Sequence, residues 1–264
     1  MAGEDQRASG DPIAAVDELL PGYEESLARK VVGEVRWAFT PPLTWLAGIG
    51  VNLLLSLLYL VFVPLTGQPQ RDWAILVGSY FAVFVLADAT TTNVLGADAI
   101  RVRVALLRGI SLLRILVVKN LALLVIVGVP TLVATAIITV NSEAGYRLVV
   151  TLPGVAFPIL TWLGVGNIVS VVLPVAALPW RERWAQRRDV RRTVRWGVHL
   201  GLPYALLLAV DPVGALPRLV NRSLPAAAHT VAGRGATLVV VGLLLWAAGT
   251  AIALLVAHYR EIRL

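Results

Sequence analysis

Long apolar segments separated by short polar or basic ones dominate the pattern of this chain. Uncharged stretches of about 20 residues, the length needed to cross the hydrocarbon of a bilayer, recur from Leu43 onwards. The pattern predicts six membrane spans, at about 43–65, 73–92, 121–140, 147–181, 197–211 and 235–257. The fourth segment is too short for two spans and contains several prolines, so we expect one span with a broken or tilted extension. The expected fold is all-α, with a six-helix transmembrane domain over residues 41–264.

The residues before the first span divide into two parts. Residues 1–22 are rich in polar and small side chains, which predicts a disordered cytoplasmic tail. Within residues 23–40, the apolar positions are Leu27, Ala28, Val31, Val32 and Val35, and the charged ones are Glu25, Arg29, Lys30, Glu34 and Arg36. Because the two sets fall on opposite faces of a helix, they predict an amphipathic helix lying in the membrane interface. A soluble helix packed on a partner is the alternative.

The apolar pattern breaks before the last span. The fifth apolar run is short and ends at Asp211, and Pro212, Pro217 and Pro225 interrupt the residues up to Arg234. Irregular backbone of this kind is tolerated at membrane depth only where protein buries it. We therefore expect a re-entrant segment of short helices that dips into the outer leaflet.

The composition agrees with a membrane protein. Hydrophobic residues make up 58% of the chain and charged residues 15%, and the mean hydropathy is +0.78, whereas soluble domains carry about 25% charged residues. The absence of cysteine excludes disulfides, thiolate metal sites and cysteine nucleophiles. With both termini and the even-numbered loops in the cytoplasm, 18 of the 23 Lys and Arg residues lie on that side and 5 outside. The positive-inside rule therefore favours cytoplasmic termini in a cell membrane.

Few residues are placed for catalysis. The sequence has no P-loop motif, and its 3 histidines lie in distant segments. Gly109-Ile110-Ser111 lacks the second glycine of a serine-nucleophile motif. Asp88 and Asp211 both fall near the ends of predicted spans, where helix capping or ion pairing is the simpler role. We therefore expect that this chain is not an enzyme and binds no cofactor itself.

The stretch 93–122, called the elbow from here on, is the most distinctive segment. Its basic residues are Arg101, Arg103, Arg108, Arg114 and Lys119, and it runs straight into an apolar segment. On a helix, Ile100, Val104 and Leu107 form one stripe, while Arg101 and Arg108 share another face. Two interpretations remain open from these residues alone. The elbow is either a docking helix for a cytosolic motor domain or a basic loop that sets topology and contacts lipid headgroups.

The elbow resembles the corresponding segment of the six-span permease subunits of ABC-type exporters, the second ABC exporter class. The matching positions are Asn93, Gly96, Asp98, Arg103 and the run Lys119-Asn120-Leu121-Ala122. Leu95 stands where that family has an aromatic residue, and Gly109 stands where proline is common. The amphipathic N-terminal helix, the six spans and the broken segment before the last span are similar to the family's layout as well.

This resemblance implies export driven by ATP that a separate ATPase subunit binds and hydrolyses. It also implies a second permease subunit, in a homodimer or heterodimer, surrounded by membrane lipids; no nucleic-acid partner is expected. The ATPase contact is assigned to Asp98, Ile100, Arg101, Arg103, Val104, Leu107, Arg108 and Ser111. The outer gate is assigned to Asp211, Pro212 and Pro217. We expect an amphiphilic cargo, because the walls of the pathway would be apolar.

A secondary carrier or a non-transporting membrane scaffold is the alternative function. A carrier typically has ionisable residues near the bilayer midplane and two repeated halves, and the sequence shows neither feature. An intramembrane enzyme ranks below both, because the sequence lacks a catalytic constellation.

Overall fold

The computed structural model describes residues 26–40, 92–176, 180–185, 188–210, 215–223 and 230–259, together with positions 50, 54, 58, 74, 75, 77–79 and 82. Several predictions concern residues outside this set. They are the disordered tail 1–22, most of the first two spans, and the roles of Asp88, Asp211 and Pro212.

Every element in these described ranges is a helix, which confirms the all-α prediction. The α-helices are α1 (Leu27–Ala38), α2 (Ala99–Leu107), α3 (Leu112–Leu123), α4 (Val129–Ser142), α5 (Leu148–Val172), α6 (Trp180–Ala185), α7 (Val190–Val210), α8 (Ala215–Ser223) and α9 (Val231–Tyr259). A π-helical turn, Leu124–Gly128, joins α3 to α4, and a 3-10 turn, Gly145–Arg147, precedes α5.

Three helical segments in the described part are long and apolar enough to cross a membrane: Leu112–Asn141, Gly145–Val172 and Val231–Tyr259. They correspond to the third, fourth and sixth predicted spans. The fourth is one continuous helix that contains Pro153 and Pro158 and ends before Pro174. The fifth predicted segment forms the second half of α7, whose first half is basic.

The third span begins earlier than its apolar pattern predicts. We expected a start near Leu121, but α3 begins at Leu112, where the Ser111 Oγ accepts a hydrogen bond from the Arg114 backbone N–H at 3.3 Å. Lys119 therefore lies inside the helix of the third span, whereas its charge was expected to mark the end of the elbow before that span. Further along, Pro130 cannot donate a backbone hydrogen bond and crowds the preceding turn, and the wider π-helical turn lies directly before it.

Glycines allow α5 and α9 to pack closely along most of their length. Gly235, Gly242 and Gly249 recur at every seventh position of α9, a spacing that keeps one face turned to a neighbouring helix. A Cβ added at Gly249 would lie 2.6 Å from the Gly164 carbonyl oxygen, and one at Gly235 would lie 2.7 Å from the Val149 carbonyl oxygen. The later glycine of α9 thus contacts the later residue of α5, so the two helices run parallel. Small residues are what permits such close backbone approach between membrane helices.

The helices before and after α5 in the chain run antiparallel to it. On the α4 side, the Thr139 hydroxyl lies 3.1 Å from the Thr151 hydroxyl, near the turn that connects α4 and α5. On the α7 side, the His199 Nδ1 lies 2.8 Å from the Leu173 carbonyl oxygen at the end of α5. Further along α7, the Tyr204 ring meets the Trp162 ring edge-on, with centroids 5.7 Å apart. Thus α5 lies at the centre of the described helices.

Candidate functional site

Helix α1 turns Lys30 and Glu34 towards the protein, whereas Arg29 and Arg36 are exposed. Lys30 is buried and the Glu34 side chain is only 12% exposed, whereas the apolar Leu27 and Val32 are 45% and 49% exposed. The Ser26 Oγ accepts a hydrogen bond from the Arg29 backbone N–H at the start of the helix. The predicted amphipathic helix is therefore present over Leu27–Ala38 and packs on α3, with Glu34 on its inner side and Leu27 and Val32 on its outer side.

Four charged side chains meet beneath α2 and form a closed ring. The Lys119 ammonium lies 2.6 Å from Glu34 Oε1 and 2.9 Å from Asp98 Oδ2. The Arg101 guanidinium lies 3.0 Å from Glu34 Oε2 and 3.1 Å from the same Asp98 oxygen. Two carboxylates thus balance two cations, so the ring is neutral. This ion ring, made of Glu34, Asp98, Arg101 and Lys119, joins α1, the start of α2, and α3.

Trp37 covers the cationic side of the ion ring. The Arg101 guanidinium carbon lies 4.8 Å from the centroid of the Trp37 ring, and the Lys119 ammonium lies 5.4 Å from it. Both distances are within the range of cation–π attraction, which strengthens as the cation loses water. Trp37 therefore stabilises the two positive charges and limits the access of solvent to them.

The two carboxylates of the ring respond to it in opposite directions. Burial pushes the pKa of Glu34 upwards, but attraction to Lys119 and Arg101 and hydrogen bonds from both outweigh it, so this pKa lies below its usual value. Burial raises the pKa of Asp98 above its usual value, and repulsion from Glu34 raises it further. The attraction of Lys119 and Arg101 offsets only part of this effect. Glu34 is therefore the carboxylate whose ionised form the ring stabilises most.

The first residues of the elbow are fastened to the end of α5. The Asn93 side chain donates to the Val175 carbonyl oxygen and accepts from the Val175 N–H at 3.0 Å, as a neighbouring backbone would. A Cβ at Gly96 would lie 2.7 Å from the Val175 backbone nitrogen and oxygen, so only glycine allows this approach. The Ser170 Oγ also donates to the Thr92 carbonyl oxygen at 2.6 Å. These contacts, called the Asn93 clamp below, give Asn93 and Gly96 a structural role.

Helix α2 is short because Gly109 ends it. Gly109 has φ 80°, a left-handed conformation that glycine adopts without strain. The Gly109 N–H bonds the Leu106 carbonyl at 2.9 Å, and the Ile110 N–H bonds the Ala105 carbonyl at 3.0 Å. This is the Schellman arrangement that closes helix C-termini. Gly109 thus ends α2 and separates it from α3.

The residues predicted for the ATPase contact fall into two groups. Asp98 and Arg101 lie inside the ion ring, on the side of α2 that faces the protein. The exposed group consists of Ile100, Arg103, Leu107, Arg108 and Ser111, and Val104 is half-buried at its margin. Ile100 is 75% exposed and Leu107 is 79% exposed, although both are large and apolar. The structure therefore gives α2 one anchored face and one open apolar face.

Sequence reasoning did not identify Glu34 and Trp37 as partners of the elbow. Glu34 was placed on the solvent side of an interface helix, and its ion pairs with Arg101 and Lys119 span 67 and 85 positions of sequence. One signal was available: an ionisable residue in an apolar helix, such as Lys119, requires a buried counter-charge. That rule predicts that a partner exists but does not say which carboxylate it is.

The predicted outer gate is described only in part. Pro217 lies in α8, which contacts α9, while Asp211 and Pro212 are outside the described residues. Among the residues that the structure describes, no group of three His, Asp or Glu side chains could hold a metal ion.

Comparison of the chain with protein-family models, with curated proteins and with solved structures finds no match.

Proposed function

We propose that this chain is the transmembrane permease subunit of an ABC-type exporter of an amphiphilic substrate, energised by ATP that a separate subunit binds and hydrolyses. The observation that carries the proposal is the two-sided character of α2. Its inner face is held by the ion ring and its outer face exposes Ile100 and Leu107. A helix with these two faces can bind a partner on its outer side and transmit the movement of that partner to the membrane helices.

The inner face provides rigid coupling. The ion ring ties α2 to α1 and α3, and the Asn93 clamp ties the same segment to the end of α5. Ion pairs and hydrogen bonds in such buried positions resist separation, because a partner left alone would keep an uncompensated buried charge or polar group. A displacement of α2 would therefore carry α1, α3 and α5 with it as a rigid body, which is a common way to transmit a conformational change.

The outer face provides a surface for the partner. Covering a large apolar side chain is worth about 1.5–3 kcal/mol, so Ile100 and Leu107 favour contact with an apolar groove. Arg103 and Arg108 are exposed on the same short helix and can attract acidic groups around such a groove. The combination fits a protein surface with an apolar centre and an acidic rim.

The parallel packing of α5 and α9 supports a six-span topology with cytoplasmic termini. If both helices cross the membrane in the same direction, the chain between them must return across it. Helix α7 runs antiparallel to α5 and supplies that return. In the proposed topology, α6 and the basic start of α7 lie on the cytoplasmic side, which agrees with the positive-inside rule. The 3-10 turn and α8 then lie on the outer side, together with the proposed re-entrant segment and gate.

A second permease subunit and an apolar pathway complete the proposal. Large apolar side chains are exposed along one side of the third span, at Val125, Val129, Val133, Ile137 and Val140. These residues face lipid or a second subunit, because either environment accepts an apolar surface. An amphiphilic cargo fits a pathway between two such bundles.

Co-purification with an ATPase tests the proposed function. The chain is expressed together with P-loop ATPases encoded beside its gene, extracted in mild detergent and purified through a tag on the chain. We expect a stoichiometric ATPase partner with ATP hydrolysis that vanadate inhibits. A chain that purifies without any ATPase from cells that contain those candidates would be a scaffold instead.

A further inference from the structure

The chain leaves the helical conformation at the end of α5, and the backbone groups that follow need partners from elsewhere. Helix α5 ends at Val172, and Pro174 has no backbone N–H with which to continue the helical ladder. The residue before a proline avoids the helical conformation, and Leu173 has φ −140° and ψ 63°. The carbonyl groups of Leu173, Pro174 and Val175 therefore lie beyond the ladder and require other donors.

Helix α7 binds two of these carbonyl groups. The His199 Nδ1 lies 2.8 Å from the Leu173 carbonyl oxygen, and because a carbonyl only accepts, this nitrogen carries the hydrogen. The Arg195 Nη2 donates to the Pro174 carbonyl oxygen, also at 2.8 Å. Residues four positions apart lie on the same side of a helix, so both side chains reach the same stretch of backbone.

The elbow binds the next residue along. The Asn93 side chain holds the Val175 carbonyl oxygen and the Val175 N–H, directly after the carbonyl that Arg195 binds. Residues 173–175, called the junction from here on, are thus held by α7 and by the elbow at successive positions. We propose that the junction couples the elbow to α7, and that Arg195 and His199 are the positioning residues that make this coupling.

The junction leaves little freedom between the two segments that it joins. Adjacent Cα atoms are about 3.8 Å apart, and a hydrogen bond stretched beyond about 3.5 Å is lost. An elbow that moves by more than a fraction of this spacing must therefore carry α7 with it or break a bond. His199 is fully buried, so water does not readily replace its bond to the junction.

The coupling extends the set of helices that follow the elbow. Helix α7 continues into the fifth predicted span, which precedes α8 in the chain. Movement of the elbow would therefore reach this span as well as α1, α3 and α5. The coupling is a property of this chain alone, whereas its use in export rests on the proposed function.

Spin-label distances in the purified full chain test the coupling without an ATPase. Ile100→Cys on α2 and Val194→Cys on α7 replace exposed residues, and the chain has no other cysteine that would take a label. Pulsed electron paramagnetic resonance in detergent gives the distribution of distances between the two labels. Arg195→Ala combined with His199→Leu removes both donors and keeps an apolar side chain of similar size at the buried position. We expect this double variant to widen the distribution at least twofold.

Two controls separate loss of coupling from a general loss of structure. Labels at Ile100→Cys and Tyr259→Cys report the position of the elbow relative to α9, which packs on α5 through its glycines. That distribution should keep its wild-type width in the double variant. Arg191→Ala removes another exposed arginine from α7 and should leave both distributions unchanged.

Conservative and reciprocal variants complete the test. Arg195→Lys combined with His199→Asn keeps a donor at each position and should reverse at least half of the widening. Asn93→Ala breaks the junction from the elbow side and should widen the same distribution between α2 and α7. A wild-type width in either disruptive variant, no recovery with the conservative pair, or equal widening between the elbow and α9 in the double variant overturns the proposal. Failure of an ATPase to co-purify would leave these distances unchanged and would count against the proposed function alone.

Discussion

The Lys119 ammonium lies 2.6 Å from Glu34 Oε1, although the two residues are 85 positions apart. This ion pair connects the surface helix α1 to the beginning of the third span. Because both side chains are largely buried, removing either one leaves the other without compensation in a poorly solvated place. The pair is thus the structural link between the N-terminal helix and the elbow.

Substitution of Glu34 by Gln should loosen α1 from the bundle. The change removes a carboxylate that contacts both Lys119 and Arg101, and breaking a buried pair in this way costs about 3 kcal/mol. The pKa of Glu34 is lowered in the folded protein, so its contribution is complete above the ordinary value of 4.5 and is lost as the pH falls through the lowered pKa. Unfolding by sodium dodecyl sulfate in mixed micelles, followed by fluorescence at pH 7 and pH 4, measures both effects.

Asp98→Asn is the comparison for this variant. It removes a carboxylate from the same two cations, but the raised pKa of Asp98 shows that the fold already disfavours its charge. We therefore expect a smaller loss of stability than for Glu34→Gln at pH 7. An equal or larger loss for Asp98→Asn would contradict the assigned roles of the two carboxylates.

Substitution of Asn93 by Ala should weaken the attachment of the elbow to α5. Both hydrogen bonds to the Val175 backbone are lost, and the part-buried Val175 groups are left without these partners, which costs about 1 kcal/mol. The measurement is hydrogen exchange of the elbow and of the residues around Val175, which should accelerate together. Asn141→Ala is the control, because the Asn141 side chain is exposed and bonds only one helix turn back, to the Ile137 carbonyl. If Asn93→Ala leaves exchange unchanged, the clamp has no mechanical role.

Substitution of Gly249 by Ala should separate α5 from α9. The added methyl would lie 2.6 Å from the Gly164 carbonyl oxygen, and overpacking of this kind costs about 1–3 kcal/mol. Gly201→Ala in α7 meets no atom within 4 Å and should be neutral or slightly stabilising, since alanine favours helices. Detergent unfolding compares the two variants. Equal stabilities would mean that the parallel packing of α5 and α9 is not as close as described.

The topology can be tested with single cysteines, because the chain has none of its own. Tyr146, Trp184 and Tyr259 are 81%, 56% and 82% exposed, so a cysteine at each is accessible. The proposed six spans predict that an impermeant thiol reagent labels Tyr146→Cys from outside intact cells. Trp184→Cys and Tyr259→Cys should react only after the membrane is opened. Labelling of Tyr146→Cys only from the cytoplasmic side would invert the topology.

Much of the helical layout could be predicted from local pattern. Apolar length predicted the spans that became α5 and α9, and periodicity predicted α1, because both signals depend on neighbours along the chain. The start of α3 could not be predicted in this way. A lysine normally ends an apolar segment, but here Lys119 continues the helix because Glu34 and Asp98 neutralise it. Such compensation depends on tertiary contacts that local sequence does not encode.

The candidate site could also be predicted only in part. The stripe of Ile100, Val104 and Leu107 was visible from helical spacing, and its two ends are exposed. The separate role of Asp98 and Arg101 was not visible, because spacing places them on the same short helix as the docking residues. Their inward orientation follows from Glu34 and Lys119, which lie on two other helices.

ATPase binding by a variant of the open face of α2 tests the central claim most directly. In Ile100→Asp combined with Leu107→Asp, two exposed apolar side chains become charged, while the ion ring and the spans are left intact. Tyr146→Asp, at a residue that is 81% exposed outside the elbow, is the control. The measurement is the amount of ATPase that co-purifies with each chain, together with its ATP hydrolysis. We expect the double variant to lose at least nine-tenths of both and the control to keep both. Wild-type ATPase binding by the double variant, in a correctly inserted chain, would contradict the proposal that α2 receives the ATPase.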